Sequence, residues 1–348
     1  MMLVEQDITV RRAVEGDAKE WDRYVFNSAK STFCHRFGWS RVLHKAFGHR
    51  PHFLLALSQD KIVGVLPLAE VKSRLFGHSL ISLPFCVYGG ILADSAAIEN
   101  TLRETACKLA EDINVDNMEL RFTRDSGSGW PTKDLYYTFR TVLDSDHEVN
   151  LKAIPNRQRA MIRKGIKSAL ISEETNDLKR LYSVYSESVR NLGTPVFSIR
   201  YLECLREEFG QDCRILMISD GQSDVAGVMS FYFRGEVLPY YGGSVSRART
   251  IKGCNHFMYW ELMRRSVEQG VLGFDFGRSK KDTGPFSFKK NWGFEPQPLP
   301  YEYYLVKRDE LPNLSPSNPK YQSLIRIWQR LPLPLANAIG PLVAGSLG

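Results

Sequence analysis

Six cysteines are scattered through the chain, and no two stand at C-x-x-C spacing or beside clustered histidines. That excludes the common zinc frameworks and favours a reducing compartment over a disulfide scaffold. The sequence also has no G-x-S-x-G, no H-E-x-x-H and no G-x-x-x-x-G-K-[ST]. Serine hydrolase, zinc protease and P-loop kinase chemistries are left without support. Long apolar runs are missing too: the most apolar stretch, SLISLPFCVYGGILA at 79–93, is too short to span a bilayer and is broken by Pro84 and a glycine pair. The opening MMLVEQDITVRRAVEGD is polar, carries acids early and reads as neither a signal nor a transit peptide, so the cytoplasm is the expected location.

What is present is a chain of 348 residues with 43% apolar content, enough for two domains that each bury a core. Its formal charge of +7 points to an anionic partner: RNA, a phosphorylated substrate or an acidic membrane surface.

The chain also repeats one plan. The first copy reads KIVGVLPLAEV (61–71) as a strand, LPFCVYGGIL (83–92) as a second, a helix over 96–113 and NMELRF (117–122) as a short acidic strand. The second reads DVAGVMSFYFRG (224–235), VLPYYGGSV (237–245), a helix over 255–269 and GFDFGRS (273–279). Helical spacing of apolar residues over 17–27 and 37–47 precedes the first copy, and over 177–191 and 200–209 the second. The order predicts an α/β fold with mixed sheets, a domain at 1–150 and a second at 151–310. The stretch DLYYTFRTVLDSDHEVN is expected to finish the first sheet, and the Pro- and Leu-rich tail at 311–348 to be an appendage.

YYGGS (240–244), SRARTIKGCNHFMYWELM (246–263), FDFG (274–277) and FKKNWG (288–293) resemble the second domain of the Fem family of non-ribosomal peptidyltransferases. FCHRFGWSRVL (33–43), VGVLPL and SLPFCVYGG resemble the BioF2-like acetyltransferase relatives of that family. More narrowly, the chain and its SPSNPKY and WQRLPLPLANAIGP tail segments look like the Fem-like proteins encoded beside exopolysaccharide and PEP-CTERM/exosortase systems. The resemblance implies two tandem domains of the GCN5-related N-acetyltransferase fold. It also implies transfer of an aminoacyl group from aminoacyl-tRNA to an amine of a cell-envelope or exopolysaccharide precursor. Two departures stand out: there is no charged heptad arm of the kind thought to hold tRNA, and SRARTIKG has only Gly253 where a pyrophosphate loop would carry spaced glycines. The donor is thus either aminoacyl-tRNA or acyl-CoA, with no further cofactor, and a non-catalytic scaffold of polysaccharide assembly is the alternative from another class.

Such transfer needs a neutral attacking amine, donors for the developing oxyanion and cations for the phosphates of both substrates. By the resemblance Lys289, after Phe288, lies near the reacting centre. It either stays charged and stabilises an oxyanion or phosphate, which is the preferred expectation in a basic chain, or loses its charge on desolvation and acts as a base. Asp275 either orients the amine or Lys289, or accepts backbone hydrogen bonds at a turn. Substrate contacts are expected from Phe288, Trp292, Asn255, Tyr241, Gly242 and Gly243, and phosphate contacts from Arg278 and Arg200. Arg157, Arg159, Arg163, Lys164 and Lys167, in a segment opened by Asn156 as an expected N-cap, offer a face for tRNA or a lipid-linked pyrophosphate. His35 reads as a packing residue. The tail, with Arg326 and Arg330 among apolar residues, either packs across the domains or lies on the inner face of a membrane beside a lipid-linked acceptor.

Overall fold

The computed structural model describes residues 8–73, 76–312 and 319–346. They form two compact units, one of residues 8–73, 76–134, 298–312 and 345–346, the other of residues 135–297 and 319–344.

The first unit runs β1 (Ile8–Arg12), α1 (Ala18–Asn27), α2 (Gly38–Phe47), β2 (Arg50–Pro51), β3 (Leu54–Ser58), β4 (Lys61–Leu66), β5 (Leu68–Ser73), β6 (Gly77–Ser82), β7 (Leu92–Ala93), α3 (Ala96–Asp112), β8 (Asn117–Arg121) and β9 (Thr132–Lys133). One sheet has the order β1-β3-β4-β7; the other runs β2-β5-β6-β8, then the later strand Tyr301–Leu305, then β9. Only β6 and β8 pair parallel. Ser95 caps α3 by accepting from the Ile98 N–H, and Gly48 ends α2 in the left-handed conformation. The single strand expected over 61–71 is two, split at Pro67, which has no N–H to donate. The strand expected over 83–92 is irregular except at its end. Leu83 and Phe85 take positive φ of 64° and 65°, incompatible with an extended ladder.

The second unit runs β10 (Tyr136–Val142), α4 (His147–Ala153), α5 (Asn156–Lys167), β11 (Ile171–Thr175), α6 (Leu178–Leu192), α7 (Ile199–Phe209), β12 (Cys213–Ser219), β13 (Asp224–Phe233), β14 (Glu236–Ser244), α8 (Cys254–Glu268), β15 (Gly273–Asp275), β16 (Ser279–Lys280), α9 (Gly284–Asn291), α10 (Pro319–Arg330) and α11 (Leu333–Ala344). Its sheet has the order β11-β12-β13-β14-β15-β10-β16, antiparallel except for β14 with β15. Asp177 caps α6 and Ser198 caps α7 through their side chains. α8 buries Phe257, Trp260 and Leu262 in one core with Leu216, Ile218 and Val228 of the sheet. Each such burial contributes about 2 kcal/mol.

Two expectations are corrected here. The segment DLYYTFRTV does not finish the first sheet: β10 pairs with β15 and β16 in the second unit. In the tail, which is not one of these two, α10 and α11 pack on α6. Asn156 is the first residue of α5, preceded by Pro155 at the cap position.

Candidate active site

β14 has nine residues, but β15 pairs with it only at Glu236 and Val237. Beyond Val237 the two strands have no further rungs, which leaves a wedge at their ends. On its other side β14 keeps pairing with β13 to Ser244, apart from a bulge at Tyr240, where the register jumps from Tyr241 opposite Met229 to Pro239 opposite Ser230. A bulge of this kind twists a strand and re-aims the residues that follow.

The other wall is built from the turn after β15. Asp275 is fully buried; its Oδ1 accepts from the Thr138 hydroxyl at 2.8 Å and from the Gly277 N–H at 2.8 Å. Its Oδ2 lies 3.5 Å from Nε of Arg140, which also donates to Glu236. These bonds fix a turn in which Gly277 takes φ +70°, a conformation a glycine adopts without strain. The carbonyls of Gly277 and Arg278 are thereby presented to α9. Lys289 donates to both, at 2.9 Å and 3.2 Å.

The segment GPFSFKKNWGFEP thus forms a short helix, with Pro285 in its first turn, that turns Lys289 inward. Lys289 is 8% exposed, and its Nζ also sits 5.9 Å from the Phe139 ring centroid. Burial pulls its pKa down from 10.5 to about 7, against the charge of Asp275 and helped by that of Arg278. A permanently charged Lys289 is therefore not what this environment supports: near neutral pH both forms are populated. Burial, and after it the same Asp275 charge, pushes the Glu236 carboxyl up, and Arg140 opposes it.

Asp275 holds this turn through the Thr138 hydroxyl and the Gly277 N–H. Asp275→Ala strands the Thr138 hydroxyl and the Gly277 N–H without their acceptor. We expect a loss of about 3 kcal/mol, read from urea unfolding, and a smaller loss for Asp275→Asn.

The other candidates divide. Arg278 lays its guanidinium over the Tyr136 ring at 4.3 Å, beside the turn. Phe288 is half-buried against His256, Tyr259 and Trp292. Trp292 is 1% exposed and stacks on His256; its indole N–H has no acceptor among the described residues. Tyr241 is buried, with its hydroxyl 2.6 Å from that of Tyr201, and belongs to the aromatic core. Gly243 faces α6, where a Cβ would meet Cβ of Ser188 at 2.3 Å, so helix packing alone requires its glycine. Gly242 lies against Val228. Asn255 is exposed on the first turn of α8. Arg200 is exposed and engaged with Glu207 and Glu203 on its own helix. The structure brings Lys289, Asp275, Arg278 and Phe288 together and places Arg200 in a separate charge cluster. Sequence reasoning missed Thr138, Arg140 and Glu236, whose only signal was polarity within strand patterns.

Among the described residues the first unit has no counterpart of this lysine. There the region after β6 is filled by residues 83–91, and Arg121 donates to the carbonyls of Leu83, at 3.0 Å, and Cys86, at 2.5 Å. His35 is wholly engaged, its Nδ1 accepting from the Thr32 N–H at 3.1 Å and its Nε2 bonded to the Gly90 carbonyl at 3.0 Å. Burial lowers its pKa to about 4.

α5 crosses the start of α8 closely. Its cations Arg157, Arg163, Lys164 and Lys167 are exposed, while Gln158, Ile162 and Gly165 are buried. The Gln158 side chain meets His256 at 2.9 Å. No helix among the described residues is long and apolar enough to cross a membrane. Among those residues no group of His, Cys, Asp and Glu could hold a metal ion.

Residues 154–290 match the acetyltransferase (GNAT) domain family, a span that lies within the second unit and ends just past Lys289. No protein of curated function matches the sequence. The fold is similar to solved structures. One is FemX, at 14% identity and a TM-score of 0.67 over 91% of this chain and 100% of that one. Another is L-PGS from Bacillus licheniformis, at 14% and 0.56 over 90% and 98%. A third is a tandem GNAT protein from the clavulanic acid biosynthesis pathway, at 12% and 0.55 over 87% and 100%. At these identities the likeness is one of fold. The second unit is a GNAT-type acyltransferase domain, and the chain as a whole has the mixed α/β, tandem-GNAT fold shared with Fem-like proteins.

Proposed function

We propose that this chain transfers an aminoacyl or acyl group from an activated donor to an amine of a cell-envelope or exopolysaccharide precursor, in the cytoplasm. We assign it, more narrowly, to the Fem-like proteins associated with PEP-CTERM systems. The observation that carries the reading is Lys289, a buried amine whose pKa of about 7 lets it exchange a proton at neutral pH, beside a strand wedge in a GNAT-type domain.

In the reaction the acceptor nitrogen bonds to the acyl carbon, and the carbonyl electron pair moves onto oxygen. Donors for that oxygen would come from backbone N–H groups of β14 beyond Pro239, which has none itself. Neutral Lys289 takes the proton the amine loses and, once charged, is held by the Gly277 and Arg278 carbonyls and by the field of Asp275. The carbonyl re-forms as the bond to the leaving oxygen or sulfur breaks, and the proton passes from Lys289 to that atom.

Aminoacyl-tRNA is the preferred donor because the cations of α5 form an acid-free face, which suits a polyanion, next to the N-terminus of α8. Acyl-CoA is the second reading, supported by the GNAT family match. Binding of a charged tRNA and of acetyl-CoA, each titrated over a range of salt concentrations, separates them. We expect tRNA affinity that falls steeply with salt, with a shallower slope in Arg163→Gln/Lys167→Gln. Tight acetyl-CoA binding with no tRNA binding would overturn the preferred donor.

A further inference from the structure

α11 is built the wrong way round for a helix that only fills a core. The residues it turns inward are small: Ala336, Gly340 and Ala344 are buried, and a Cβ at Gly340 would stand 2.9 Å from the Val196 carbonyl. Its large aliphatics face out. Leu335, Ile339 and Leu342, at i, i+4 and i+7, are 45%, 36% and 79% exposed and form one stripe. α10 does the same. Gly193 leaves room for its Ile325, and Gln329 bonds to the Asn191 carbonyl, yet Leu324 and Ile327 are each 60% exposed.

Charge decides what fits such a surface. From residue 311 to 348 the sequence has no Asp or Glu and carries Lys320, Arg326 and Arg330. Arg330 follows Ile327 by three residues and is its neighbour on the helix surface; Arg326 and Arg330 are both exposed. A second copy of the same face would set cation against cation. An anionic bilayer accepts both features: the aliphatic stripe enters the acyl boundary while the arginine stems run along it and their heads meet lipid phosphates.

We propose that the outer faces of α10 and α11 are a docking surface for an anionic lipid membrane, which would hold the enzyme at the interface without a spanning segment. This stands independently of the acyl-transfer reading. Co-sedimentation with vesicles of phosphatidylcholine, with and without one third phosphatidylglycerol, tests it. The full chain is expected to partition onto the anionic vesicles and to leave them as salt is raised. Arg326→Gln with Arg330→Gln should weaken partition about thirtyfold. The triple variant Leu335→Ser, Ile339→Ser and Leu342→Ser should weaken it at least ~tenfold, and Leu342→Ser alone, at the most exposed of the three positions, should weaken it with little change in the unfolding midpoint. Equal absence of binding to both vesicle types would overturn the proposal. So would light scattering that shows a dimer which the triple variant dissociates, in a protein that ignores vesicles.

Discussion

Lys289→Met is expected to remove transfer activity and, at neutral pH, to make the protein more stable. The two effects share one cause, the burial that depresses the lysine's pKa from 10.5 to about 7. Between those values the unfolded chain binds a proton that the folded chain does not, so the parent's stability rises with pH across that window. Below about 7 the full cost of ordering an ammonium in an apolar site is present; above 10.5 it is absent. Each pKa unit corresponds to about 1.4 kcal/mol. After allowance for the two carbonyls that lose their donor, the variant should gain on the order of 3 kcal/mol in mildly acidic buffer. That gain should fade towards strongly alkaline pH, as read by urea unfolding of both proteins. Activity should fall by roughly 10²- to 10³-fold, and the rise of kcat through pH 7 should flatten. A stability difference independent of pH would show that Lys289 does not titrate in this range. Unchanged turnover would remove its catalytic role.

Gly253→Ala should cost on the order of 4 kcal/mol, an unusually large effect for one methyl group. Gly253 takes φ +85° at the N-cap of α8, and an added Cβ would lie 2.2 Å from the Met161 carbonyl oxygen and 2.8 Å from the Gly165 nitrogen. Both are backbone atoms of α5, so no side chain can swing aside; the helices themselves must part. Gly165→Ala meets the same contact from the other side, with Cβ of Phe257 at 2.7 Å and the Gly253 carbonyl at 2.9 Å. The double variant should therefore lose less than the sum of the singles, because one separation relieves both. Gly16→Ala, with nothing within 4 Å of the new methyl, is the control and should change the urea midpoint little.

Much of the helical frame was legible before the structure. The expectations for 177–191, 200–209 and 255–269 meet α6, α7 and α8 within a residue or two, because caps such as Asp177 and Ser198 and stops such as Gly193 are local devices. The strand at 83–92 failed on conformation: apolar residues in a row look alike whether extended or folded through positive φ. Burial of Lys289 was hidden by its neighbours. FSFKKN forms part of a short helix, which buries Lys289 and leaves Phe288 half covered.

The resemblance to the Fem family singled out Lys289; by itself, the sequence determined the helical frame, the basic balance and the absence of metal and hydrolase motifs. These follow from periodicity, caps and residue types, all of which act over a few positions. Tertiary structure alone decided that β10 joins the second sheet and delivers Thr138 and Arg140 to Asp275. It also decided that the turn so fixed aims two carbonyls at Lys289, and that desolvation there moves the lysine's pKa to about 7. Strand partners separated by 137 residues and the loss of water around one amine are properties of packing, which no local pattern encodes.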